Sequence, residues 1–156
     1  MSRRHDSLIP LSHQHQHALA LAVIIKRRFG SEKGEDAWRE DMAENIQKLY
    51  SAEIMGHFDV EETILFPEME RCLGALRLIA ELRDEHQSLR DLIKKLQPCV
   101  AVPLEMLDTF STSIELHIRK EERQLFMEFE KRMPAEEAKK VGLEIDARLL
   151  KACPRL

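Results

Sequence analysis

Apolar residues recur along most of this chain at every third or fourth position, the spacing of one face of an α-helix, and nowhere alternate with the period of a strand. Pro10, then Ser12 as N-cap, predicts a first helix running to about Phe29. Its apolar stripe is Ala18, Leu19, Ala22, Ile25 and Phe29, and His15 lies on the same stripe. Gly30-Ser31-Glu32-Lys33-Gly34 predicts a break, and a long second helix follows from about residue 36 to near residue 66. Pro67 is expected to end or kink that helix, because its ring removes one backbone bond and crowds the preceding turn. Leu73-Gly74 marks a turn, a third helix covers roughly 75–96, and the stretch bounded by Pro98 and Pro103 reads as a linker. A fourth helix spans about 104–132, and Pro134 suits the first position of a fifth segment, which Gly142 is expected to interrupt. The expected fold is all-α: an up-down-up-down antiparallel four-helix bundle over residues 1–133, with 134–156 as a short helical tail packed on it or extending it.

The second and fourth helices repeat one another. His57-Phe58-Asp59-Val60-Glu61-Glu62-Thr63-Ile64-Leu65-Phe66 can be laid over His117-Ile118-Arg119-Lys120-Glu121-Glu122-Arg123-Gln124-Leu125-Phe126, with the His, both Glu, the Leu and the second Phe identical. A spacing of four puts His57 over Glu61 on one helix face, and His117 over Glu121. One such pair is common in helices; two copies with the same apolar sequel are not. His15 and His86 each follow a leucine by four residues, so every helix offers a histidine. In an up-down bundle, residues at equal height are mirrored about the intervening turn. The midpoints of His15 and His57, of His57 and His86, and of His86 and His117 all fall on or beside turns chosen on other grounds. The four histidines are therefore expected in one layer.

Composition narrows the picture. A net charge of −4, from 28 acidic and 24 basic groups, argues against nucleic acid as a partner. The apolar run from Ala18 to Ile25 is too short to span a membrane. Cys72, Cys99 and Cys153 are an odd number in no metal-like spacing, and read as reduced thiols of a cytoplasmic protein. The methionines, Met55, Met69 and Met127 among them, read as core packing, and His5 as part of an unstructured charged tail.

Four imidazoles and two carboxylates converging in a core cannot stay unpaired, since an isolated buried carboxylate costs several kcal/mol or must take up a proton. A pair of cations resolves that cost. Imidazole suits iron, copper, zinc or nickel, and each carboxylate can bridge two ions held roughly 3.5–4 Å apart.

The order His15, His57-x-x-x-Glu61, His86, His117-x-x-x-Glu121 resembles the hemerythrin-like, or HHE cation-binding, domain over about residues 8–132. The resemblance implies a four-helix bundle around a non-haem di-iron centre, oxo- or hydroxo-bridged, with zinc or manganese as alternative occupants. It implies His15 and His57 on one iron, His86 and His117 on the other, and Glu61 and Glu121 bridging. The implied ligand is a small oxidant: dioxygen, peroxide or nitric oxide. The chain departs from the oxygen-carrying hemerythrins in two ways. Where these have a fifth histidine on the third helix, the positions one turn either side of His86 are Leu82 and Arg90. Where their last ligand is an aspartate five residues after its histidine, Glu121 stands four after His117. A more open site follows, which favours sensing, or peroxidase- or catalase-like chemistry, over oxygen carriage.

Tyr50, seven residues before His57, is a candidate extra ligand or hydrogen-bond donor to one, and Glu53, four before His57, a candidate ligand or supporting carboxylate. His13 and His17 are the alternatives to His15. Glu62 and Glu122 are expected to face solvent or to support neighbouring histidines. The competing functional class is a non-catalytic metal module, for iron sensing or storage or with a structural zinc. The chain is expected to be a monomer or homodimer.

Overall fold

A computed structural model describes residues 3–31, 36–98 and 101–152. These form five long helical runs, and no strand is present among the described residues. α1 is Ile9–Ser31, led in by a 3₁₀ turn at Asp6–Leu8; α2 is residues 36–73; α3 is Arg77–Lys95; α4 is residues 104–132; and α5 is Ala135–Ala152.

Several local expectations need correction. α1 starts before Ser12, because the 3₁₀ turn opens the helix: the His5 ring nitrogen accepts from the Ser7 amide at 3.2 Å and the Leu8 amide reaches the His5 carbonyl at 2.9 Å. His5 is thus ordered, its ring edge-on to Phe129 at 5.7 Å, and Arg4 beside it is bound to Glu122 and Glu130. Gly30 and Ser31 still belong to α1, while residues 32–35 of the expected break, Cys99, Val100, Cys153 and the Phe29 side chain lie outside the described residues. Met69 is fully buried, but Met55 and Met127 are exposed, on the outer side of their helices.

Pro67 does not end α2. The helix widens into a π turn at Glu61–Leu65 and resumes as α-helix at Phe66–Leu73, which places Pro67 in a first turn, where a missing N–H is tolerated. Gly74, at φ 85°, then closes the run as only glycine does easily. α4 shows the same device, a π turn at Glu121–Leu125 between Leu104–Lys120 and Phe126–Arg132. A third π turn occupies Tyr50–Ile54. Gly142 does not interrupt α5. A β-carbon there would stand 2.3 Å from the Ser7 hydroxyl oxygen, so the glycine lets α5 close on the 3₁₀ turn, where the Ser7 hydroxyl donates to the Ala138 carbonyl at 2.8 Å.

The core is split in two. One cluster holds Leu11, Val60, Phe66, Met69, Leu82, Leu125, Phe126, Phe129 and, from α5, Val141 and Ile145. The other holds Ala18, Ala22, Ile25, Ile46, Phe58, Leu89, Ile93, Phe110 and Ile114. Along α1 the chain passes from the first cluster to the second, along α2 back again, along α3 forward and along α4 back. That alternation is compatible with an up-and-down bundle. On α1 and α3 the buried histidine falls between the two clusters, and on α2 and α4 it stands near the end of the second cluster, one residue before its last member, Phe58 or Ile118.

Candidate metal centre

His15, His57, Glu61, His86, His117 and Glu121 are all buried, and Glu61, His86 and Glu121 are wholly inaccessible. Glu61 turns Oε1 toward His57 Nε2, at 3.0 Å, and Oε2 toward His86 Nε2, at 3.2 Å. Glu121 turns Oε2 toward His15 Nε2, at 2.9 Å, and Oε1 toward His117 Nε2, also at 2.9 Å. Each carboxylate therefore offers one oxygen to each of two histidine pairs. His15 and His57 form one pair, their Nε2 atoms 3.0 Å apart; His86 and His117 form the other.

These close approaches do not satisfy the atoms involved. Both oxygens of Glu61, both of Glu121, and the Nε2 atoms of His86 and His117 have no hydrogen-bond partner, although buried polar atoms ordinarily have one. They aim at the space between them. Two ligand atoms about 2.1 Å from a common ion and at right angles to one another lie about 3.0 Å apart, which is the spacing seen. Two four-atom groups, one with each histidine pair and both with the two glutamates, have all their ligand atoms within 4.8 Å of one another. The donor set fits a pair of cations with imidazole and carboxylate preferences.

The outer nitrogens of the imidazoles are held in a closed circuit. Gln14 Oε1 on α1 accepts from His57 Nδ1 on α2, at 2.9 Å. Glu62 on α2 holds His86 Nδ1 on α3, at 2.9 Å; Glu85 on α3 holds His117 Nδ1 on α4, at 3.1 Å; and Glu122 on α4 holds His15 Nδ1 on α1, at 2.7 Å. Each helix thus supports the histidine of the next, and α4 returns to α1. A proton fixed on Nδ1 leaves the Nε2 lone pair for a metal. The supports are themselves tied: Glu62 by both guanidinium nitrogens of Arg90, each at 2.9 Å, Glu85 by Lys120, and Glu122 by Arg4 and Ser12. Phe58 stacks on His86, centroids 3.9 Å apart, and Phe126 on His15, at 5.6 Å.

The buried charges of the layer act strongly on one another. Burial opposes charge on His57, but the nearby negative charges of Glu61 and Glu121 outweigh it and raise the imidazole to about 10. His117 is likewise raised to about 10, by Glu121 against burial. Burial and the Glu121 charge push the Glu61 carboxyl up, yet His57 and His86 hold it below the usual carboxylate range. Glu121 is held well below that range, chiefly by His117, against its own burial.

Residues 10–129 match the hemerythrin HHE cation-binding domain. The chain belongs to that family. No curated protein and no solved structure matches it. In this hemerythrin-like domain the buried His/Glu layer is a site for metal, in keeping with the cation binding for which the family is described.

The remaining sequence candidates of the domain lie outside the two groups. Tyr50 is half-buried against the second apolar cluster and interacts with Arg90, the partner of Glu62. Glu53 accepts from His17 Nδ1 at 2.8 Å. His13 and His17 are both exposed. Glu62 and Glu122 support histidines. Gln14 and Glu85 were not legible as supports: each precedes a buried histidine by one residue, yet serves the histidine of the next helix, a relation only the packing reveals.

Proposed function

We propose that the chain is a non-haem di-iron protein that binds, senses or reduces a small oxidant: dioxygen, peroxide or nitric oxide. His15 and His57 hold one iron, His86 and His117 the other, and Glu61 and Glu121 bridge them. The observation that carries this reading is the split of each buried carboxylate between the two histidine pairs, with no hydrogen-bond partner for any of the four oxygens. Bound there, the ions supply electron transfer and Lewis acidity to the oxidant. The protein supplies two glutamates and four imidazoles, so each ion has four protein ligands and keeps room for an exchangeable one.

The cavity beside the layer supports a small ligand. It measures about 20 Å³ and is lined by His15, His57 and His117 together with the apolar Ala18, Ile54, Phe58, Ile114 and Ile118. That is enough for one water-sized or diatomic molecule and too little for an organic substrate. Its largely apolar wall keeps competing water out, and the glutamine at its edge, Gln14, leaves His57 as the one imidazole without a carboxylate behind it.

Elemental analysis of untagged protein, with an ultraviolet–visible spectrum before and after peroxide, tests the reading. About two irons per chain and oxo-type near-ultraviolet absorption are expected. One zinc, or no metal with a featureless spectrum, would overturn it. Glu61→Ala is expected to lower the content to one ion or fewer, and an unchanged count would remove Glu61 from the bridge.

A further inference from the structure

Two cavities meet at Gln14 and Glu53. The inner one is the small space against His15 and His57. The outer one is a vestibule of about 440 Å³ between the start of α1 and the end of α5, lined by His13, His17, Asp146, Leu149 and Leu150 as well as by Gln14 and Glu53. No other residue lines both. Gln14 is held in place by His57 Nδ1, so it cannot swing aside without loosening a metal-facing imidazole. Glu53 is held from outside: His17 Nδ1 lies 2.8 Å and 2.9 Å from its two oxygens. His17 is well exposed, its side chain 62% accessible, and nothing else fixes it among the described contacts. Glu53 also stands in the π turn Tyr50–Ile54, one turn ahead of His57.

We infer that Glu53, latched by His17, is the selective gate through which metal ions and small ligands reach the centre from the vestibule. The inference rests on the di-iron reading. The gate does not coordinate the metals; it sets what arrives. A carboxylate at a narrow mouth attracts a ferrous ion and repels an anion, while an uncharged diatomic molecule feels only its bulk. Asp146 on the opposite wall adds to the negative potential of the approach. Breaking the His17 contact frees Glu53 to rotate into the vestibule, which widens the mouth for every solute.

The test uses the full chain, wild type against Glu53→Gln and His17→Ala, with three probes: ferrous ion uptake by metal-free protein under nitrogen, azide binding to the oxidised loaded protein, and nitric oxide binding to the reduced loaded protein. In Glu53→Gln, which keeps size and polarity, ferrous uptake should slow about tenfold and azide association should quicken about tenfold, the lower end of the effect of a charged cleft on association. Final iron content and the nitric oxide rate should stay within about twofold of wild type on the same argument. In His17→Ala all three rates should rise together. Full loading with unchanged rates in both variants would overturn the gate and leave the di-iron reading standing. So would a Glu53→Gln effect of the same sign on all three probes, since charge would not be what selects. A wild-type chain that takes up no iron overturns both.

Discussion

At the scale of single residues, the centre is a balance of protons. In the metal-free protein, His57 and His117 are both raised to about 10 and both glutamates are ionised, so imidazolium offsets carboxylate within the layer. Metal must displace those protons from Nε2. Loading at pH 7.5 is therefore expected to release at least about two protons per chain, one each from His57 and His117, with His15 and His86, also raised against burial by the nearby glutamates, adding to the count, and metal affinity should rise with pH up to about 10. Calorimetry in two buffers of different ionisation enthalpy counts the protons; release of none would contradict the account. Stability of the metal-free form runs the other way. A histidine raised above its unfolded value of about 6.5 stabilises fully below that pH and loses the contribution as pH climbs through about 10. Glutamates lowered in the fold stabilise above their unfolded value of about 4.3 and lose the contribution as pH falls through the folded one. The metal-free melting temperature should accordingly hold between these limits and drop toward pH 10.

The six layer residues were legible in the sequence because the histidine–glutamate spacing repeats and the turn midpoints agree. The outer circuit was only half legible. Glu62 and Glu122 follow the repeated glutamates, whereas Gln14 and Glu85 sit beside their own helix's histidine while serving another's, and single-helix periodicity carries no information across helices.

At the scale of elements, what escaped the sequence is where helices tolerate irregularity. A proline in a helical pattern ordinarily signals an end, but the π turn ahead of Pro67 absorbs it. That turn begins at Glu61, as its counterpart begins at Glu121, so the irregular backbone sits where the two carboxylates must face inward. Hydrophobic periodicity cannot register a single widened turn, because the apolar stripe resumes beyond it. Gly142 is the opposite case: a residue read as a break proves to be a contact, visible only once Ser7 is found across from it. Gly142→Ala gains helix propensity but places a methyl group against the Ser7 side chain and Cα. We expect a net loss of about 1–3 kcal/mol, as for overpacking elsewhere, read by chemical denaturation. A neutral or stabilising effect would show that the 3₁₀ turn yields freely.

At the scale of the whole molecule, helix content and the number of long helices followed from periodicity, and among the described residues no helix is long and apolar enough to cross a membrane. The division of the core did not. Two apolar clusters are joined through a layer of charges, so the interior has little apolar continuity from one end to the other. We expect such an interior to open as two cooperative units that share one seam. Metal held by residues of all four helices would tie the two units together across that seam; without it, only the outer hydrogen-bond circuit and the charges of the layer join them. Removing metal with a chelator is therefore expected to split a single unfolding transition into two. Amide exchange should show the region of Phe66, Met69, Phe126 and Phe129 opening apart from that of Ile46, Phe58, Ile93 and Phe110, whereas one undivided transition after metal removal would show that the helices alone carry the coupling. Metal supply would then set how cooperatively the protein folds as well as what it can bind.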